Sequence, residues 1–289
     1  MHGLNFIIMQ INFNKKWAVC TALASMTSVQ GGASIAKYLF HVLGPAGAVT
    51  LRVGLAGIML FLVNRPKIFQ FSRKEWLYIL FYGLSIGSMN LTFYYGIQRV
   101  PLGIGVAVEF IGPLGLALLT SRKLLDFVWA ILAGLGIFFI VPRNGTGGDL
   151  FGIILVAVAG LLWAAYIVAT GKITKHLKNS DAVTCGICVA ALLVTPFGLF
   201  SGDLFQLNWK LLLMGFGVAV FSSVLPFSLD LWTMKKIPPK TFSVLQSLQP
   251  AFGALSGLLF LGEYLTGLQW FAIACIMAAS AGATLMHEN

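Results

Sequence analysis

The chain has 289 residues, of which 58% are hydrophobic and only 10% charged, and its mean hydropathy is +0.89. Soluble domains run at about 45–50% apolar and about 25% charged, so this composition excludes a cytosolic enzyme, a disordered protein and, with four cysteines, a secreted disulfide scaffold. The net charge of +10 contains no basic run longer than two residues, which argues for basic loops on one side of a membrane rather than for nucleic-acid binding.

Residues 1–16 form an N-terminal segment expected on the cytoplasmic side. Its apolar patch Phe6–Ile11 is short, lacks a preceding basic stretch and is interrupted by Gln10, so it does not read as a cleavable signal peptide. Ten apolar segments follow, near 17–38, 44–63, 76–98, 101–121, 125–142, 150–170, 182–201, 210–232, 240–261 and 267–286. A spanning helix needs about 20 mainly apolar residues. The segments lack the period-two alternation of barrel strands, and helices are the other structure that satisfies its backbone in lipid. The expectation is an all-α integral membrane fold of ten transmembrane helices, with no separate soluble domain.

The basic residues sort onto one face. With the N-terminus inside, the cytoplasmic segments carry Lys15, Lys16, Arg65, Lys67, Arg73, Lys74, Arg122, Lys123, Lys172, Lys175, Lys178, Lys235, Lys236 and Lys240. The opposite side carries Arg99, Arg143 and Lys210. This bias predicts an even number of spans with both termini cytoplasmic.

In chain order, the polar residues inside these spans are the candidates for chemistry. Gln30, Ser34 and Lys37 share one face of the first span beside Gly31 and Gly32. That stripe reads either as a wet pathway wall or as close helix packing. Lys37 is near the outer boundary, where snorkelling or an ion pair that could act as a gate is expected. Arg52, in the second span, could clamp a substrate carboxylate, pair with an acid or snorkel. Asn90 and Tyr94 make an i, i+4 pair on the third span, and Trp163, Tyr166 and Thr170 a similar stripe on the sixth.

Glu109 is the leading candidate. A charge at the bilayer centre costs about 2.5–3.5 kcal/mol on insertion scales, so its presence is a functional hypothesis by default. It could carry a proton or bind a substrate ammonium; the alternative is a structural ion pair with Lys37 or Arg52. Asp230, near Lys235 and Lys236, reads as a gate or surface ion pair. Gln246 and Gln249, the second-half counterparts of Glu109 and Gly112, are pathway candidates that can hydrogen-bond but cannot carry a proton. Cys185 and Cys188 have C-x-x-C spacing without a second pair or a βαβ context, so neither a zinc site nor a thioredoxin-like motif is expected, and they read as buried small apolar residues. No metalloprotease, nucleophile-elbow or phosphate-loop motif is present. The chain is not expected to be an enzyme, and no cofactor or metal is expected.

A weak duplication runs through the sequence. Pro101 and Pro238, Pro113 and Pro250, and Asp126 and Glu263 are each 137 residues apart. Two five-helix repeats, 17–142 and 150–286, follow. Five is odd, so the second copy enters the membrane inverted, an arrangement common in secondary transporters with a site between the repeats. Pro101 and Pro238 fall at span starts. Pro113 and Pro250 fall mid-span, where each removes a hydrogen bond and points either to the pathway or to a simple kink.

Several motifs occur in a telling order: Ser28-Val29-Gln30-Gly31-Gly32, Met89-Asn90-Leu91-Thr92-Phe93-Tyr94, Val100-Pro101-Leu102-Gly103, Glu109-Phe110-Ile111-Gly112-Pro113, Leu225-Pro226-Phe227-Ser228-Leu229-Asp230 and Leu261-Gly262-Glu263. Together, over about residues 17–286, they resemble the EamA branch of the drug/metabolite transporter superfamily, and within it the threonine/homoserine exporters of bacteria. The resemblance implies a multi-pass carrier of the bacterial inner membrane that exports a small amino acid or related metabolite, using protons. The implied partners are that small molecule, protons and membrane lipids, with no nucleic acid. Aromatic amino acids, amphipathic drugs, the uptake direction and a passive channel stay open as alternatives. Two positions depart from those exporters: Gln249 stands before the mid-span proline where they carry Glu, and Asp230 stands in place of Glu.

Overall fold

In a computed structural model of the chain, residues 2–120, 124–140, 149–201 and 203–286 are described, and among them every regular element is helical. The elements are α1 (His2–Asn64), α2 (Arg73–Ile97), α3 (Leu102–Glu109), α4 (Ile111–Thr120), α5 (Leu124–Ile140), α6 (Leu150–Ile173), α7 (Asn179–Phe200), α8 (Trp209–Ala219), α9 (Leu225–Met234), α10 (Pro239–Gln246), α11 (Gln249–Leu261) and α12 (Gly267–Met286). Seven helical stretches are long and apolar enough to cross a membrane, and Phe127–Ile140 and Trp209–Val224 are shorter apolar helices. Large apolar side chains such as Leu62, Leu119, Leu192, Phe200, Leu259 and Phe260 lie exposed, as a lipid-facing surface requires.

The long α1 is two limbs rather than one rod. Gly44 adopts φ 56°, ψ 173°, outside the helical region, and Pro45 follows it. Gln30 and Arg52 border the same cavity. On a straight helix, 22 residues at 1.5 Å each would part them by roughly 33 Å. The chain therefore reverses at Gly44, where only glycine adopts the positive φ without strain.

Two further helices are broken midway. α3 ends at Glu109 and α4 resumes at Ile111; α10 ends at Gln246 and α11 resumes at Gln249. Both first halves are eight residues long and both take a proline N-cap, Pro101 and Pro238, with nearly equal backbone angles. The breaks fall about a turn before Pro113 and Pro250, because a proline excludes the carbonyl four residues back from the helix ladder. The carbonyls so released are those of Glu109 and Gln246. A third irregularity, not foreseen in the sequence, is a π-helical turn at Val220–Val224 between α8 and α9.

These irregular segments are held by a tight surround. α2 packs on α6 and α7, α1 on α7 and α8, and α5 on α12. Where α4 leaves the break, Gly112 meets the backbone of Gly160 in α6 so closely that a Cβ at Gly112 would collide with the Gly160 carbonyl. All four cysteines are free thiols.

Candidate functional site

A cavity of about 210 Å³ lies between the two limbs of α1, the break after α3 and the π turn. Its polar wall comes from Gln30 and Arg52 on the two limbs of α1, Asn90 on α2, Glu109 at the end of α3, Tyr166 on α6, Ser222 and Ser223 in the π turn, Asp230 on α9 and Gln249 on α11. Trp163, Phe93, Met89 and Val106 supply the apolar part.

Arg52 is fixed by neutral partners. Its Nη1 donates to the Tyr94 hydroxyl at 3.1 Å, its Nη2 to the Ser222 carbonyl at 3.1 Å and its Nε to Ser223 Oγ at 3.4 Å. The guanidinium also lies 5.6 Å from the Tyr94 ring centre. The π turn makes this possible, since its wider winding turns backbone carbonyls off the α-ladder. Arg52 takes the one on Ser222 and Ser28 takes the one on Phe221 at 2.6 Å. No acid is among these hydrogen-bond partners of Arg52.

Glu109 is 9% exposed and borders the cavity. Of the two salt bridges among the described residues, neither contains it: Lys37 pairs with Glu263, and Arg99 with Asp149. The ion pairs weighed for Glu109 in the sequence, with Lys37 or Arg52, are therefore absent here. An acid and a base thus face one cavity with no salt bridge between them. Below Glu109, Phe110 fills the helix break and meets Trp163 edge-on, ring centres 4.9 Å apart.

A chain of side-chain amides closes another side. Gln30 Nε2 donates to Gln249 Oε1 at 2.9 Å, Gln249 Nε2 to Gln246 Oε1 at 2.9 Å, and Gln246 Nε2 to Asp230 Oδ2 at 3.5 Å. A carboxylate can only accept, so Asp230 sets the direction of the whole chain. Asp230 meets Gln246 rather than Lys235 or Lys236; its other oxygen is buried without a hydrogen-bond partner.

The remaining candidates stand off the wall. Ser34 hydrogen-bonds Ser256 of α11 at 3.0 Å. Tyr94 is fully buried behind Arg52. Pro113, Gln246 and Pro250 shape the breaks rather than the lining. Lys37 pairs with Glu263 at 2.6 Å. The side chain of Asp126 lies outside the described residues. Ser222, Ser223 and Glu263 were not among the sequence candidates; the serines have no signal apart from a polar pair within an apolar run. Among the described residues no cluster of His, Cys, Asp and Glu could hold a metal.

Known proteins resemble this arrangement over most of its length. Residues 150–285 match the EamA-like transporter family. The threonine/homoserine exporter RhtA of Salmonella typhimurium is 42% identical over 92% of this chain and 91% of its own, and its counterpart from Escherichia coli K12 is 42% identical over 91% and 90%. A probable amino-acid metabolite efflux pump of Salmonella typhimurium is 24% identical over 78% of this chain and 82% of its own. One solved crystal structure, 17% identical, superposes with a TM-score of 0.59 over 94% of this chain and 97% of that one, a likeness of fold.

Proposed function

We propose, from the premise that this chain belongs to the EamA-like transporter family, that it is a secondary carrier exporting a small amino acid such as threonine or homoserine from a bacterial cell. The observation that carries the reading is the separation of charge in the cavity. Arg52 and Glu109 border one small space, unpaired with each other. A zwitterion supplies the two missing partners, its carboxylate to the guanidinium and its ammonium to the carboxylate. The volume of about 210 Å³ lies below the roughly 300–1,000 Å³ usual for drug-sized ligands, which favours a small amino acid. The relatives named for threonine and homoserine support the same class.

In this reading the chain crosses the inner membrane ten times with both ends inside. The two limbs of α1 count as two spans, and the shorter apolar stretches at α5 and at α8–α9 each count as one. The matched breaks in α3–α4 and α10–α11, 137 residues apart, support two inverted repeats that rock about the cavity between them. Glu109 is the coupling group: it binds either a proton or the substrate ammonium, so the two exchange across the membrane.

The test uses purified protein in inside-out vesicles with labelled threonine and homoserine. Accumulation that needs an imposed proton gradient and is competed by unlabelled homoserine is expected. Absence of accumulation in tight vesicles would overturn the substrate assignment; accumulation indifferent to the gradient would overturn the coupling.

A further inference from the structure

We infer that Lys37 and Glu263 form a latch that holds the outward exit of the cavity closed, and that substrate release requires the pair to part. The inference rests on the carrier reading for its direction. It also names a gating residue, Glu263, outside the cavity wall.

The latch joins three segments far apart in sequence. Lys37 stands seven residues beyond Gln30, roughly 10 Å further along α1 toward the Gly44 reversal. Its Nζ meets Glu263 Oε1 at 2.6 Å and donates to the Val100 carbonyl at 2.7 Å. The other carboxylate oxygen, Oε2, accepts the Leu102 backbone N–H at 2.7 Å. That N–H is one of the unpaired donors in the first turn of α3, just past Pro101. One acid thus ties the end of α11 to both α1 and the start of α3. Both side chains are 16% exposed, so the pair is largely shielded from solvent.

The backbone aims Glu263. Gly262 ends α11 in the left-handed conformation at φ 65°, and the Glu263 N–H returns to the Gly257 carbonyl at 3.0 Å. The left-handed glycine and this return bond fix the direction of the residue after it. Behind the latch, α3 lies directly on α11: a Cβ at Gly103 would come within 2.5 Å of Ala254 Cα. Leu102 and Ile104 are fully buried there. The other halves of these broken helices part company, α4 packing on α6 and α12, and α10 on α12 and α1. The close seam of α3 on α11 thus lies on the side where Lys37 and Glu263 sit, which the basic-residue bias makes the outer side.

Removing one charge of a shielded pair leaves the other unpaired, whereas removing both does not. The test exploits this in the full-length protein with its four native cysteines replaced. A reporter thiol at Val106→Cys, on the cavity side of the seam, is labelled by a membrane-impermeant maleimide from the outer face. Glu263→Gln and Lys37→Met should each speed labelling by on the order of tenfold, as a shift toward the outward-open state requires. The double variant should label no faster than the faster single one, because the two residues act as one unit. Labelling rates unchanged in monodisperse single variants, or multiplying in the double variant, would overturn the latch. If either single variant fails to fold, the double variant, which has no unpaired charge, decides alone: labelling as slow as in the unmodified latch would overturn the proposal. Labelling needs no substrate, so failure of threonine transport in every variant, the starting protein included, would count against the carrier reading and leave the latch to stand or fall on its own rates.

Discussion

Gln30 donates to Gln249 across 2.9 Å, joining the first limb of α1 to the broken helix α10–α11 at the cavity wall. Gln249 hands the chain on to Gln246 and so toward Asp230. Replacing Gln249 by Leu leaves a donor on Gln30 and an acceptor on Gln246 without partners. An unsatisfied buried polar group costs about 1–3 kcal/mol, so a lowered melting temperature in detergent and weakened threonine uptake are expected together. Gln249→Glu still accepts from Gln30 but cannot donate to Gln246. Its melting temperature should fall between those of the parent and the Leu variant.

Glu109→Gln keeps the size of the side chain and removes its capacity to exchange a proton. The variant should fold and bind detergent like the parent. Gradient-driven accumulation of threonine should fall at least about tenfold, the scale of one charge-assisted contact. Full gradient-driven activity in this variant would remove Glu109 from the coupling step.

Much of the architecture was legible because lipid imposes it. Continuous apolar stretches can only be helices, and a charge among them is conspicuous, which brought out Glu109 and Arg52. Helical spacing identifies a face but not what that face meets. Gln30 and Ser34 share a stripe, yet one reaches the cavity and the other a serine on α11. Lys37 and Glu263 are 226 residues apart, and nothing local to either signals the partner. The π turn at Val220–Val224 also left no mark, since the residues that meet its carbonyls, Ser28 and Arg52, lie far from it in sequence.

Asp149, just before α6 and outside the spans, gives a pH dependence that can be separated from transport. The Gly152 N–H, then the Arg99 guanidinium at 2.7 Å, hold its carboxyl below the usual carboxylate range. A group depressed in the folded state stabilises above its unfolded value, about 3.9 for aspartate, and that contribution disappears as pH falls through the folded value. The pair is exposed, so the effect is small and salt-sensitive. Melting curves below about pH 4 should be flatter for Asp149→Asn than for the parent, and the difference should shrink in high salt.

Gly160 offers the sharpest test of how the site is positioned. Pro113 has no N–H to return to the Glu109 carbonyl, and that carbonyl faces Gly160 in α6. A Cβ at Gly160 would stand 2.5 Å from it. Both sides of the contact are backbone, so no side chain can swing away. Gly160→Ala must push α6 from the break, displacing the residue whose side chain borders the cavity. Overpacking of this kind costs about 1–3 kcal/mol, and transport should fall with it. Gly171, on the same helix, has nothing within 4 Å of a built Cβ. Gly171→Ala should be neutral or stabilising by up to about 1 kcal/mol, as alanine is the better helix former. Equal effects of the two substitutions on melting and uptake would mean that the approach of Gly160 to the Glu109 backbone does not set the geometry of the site.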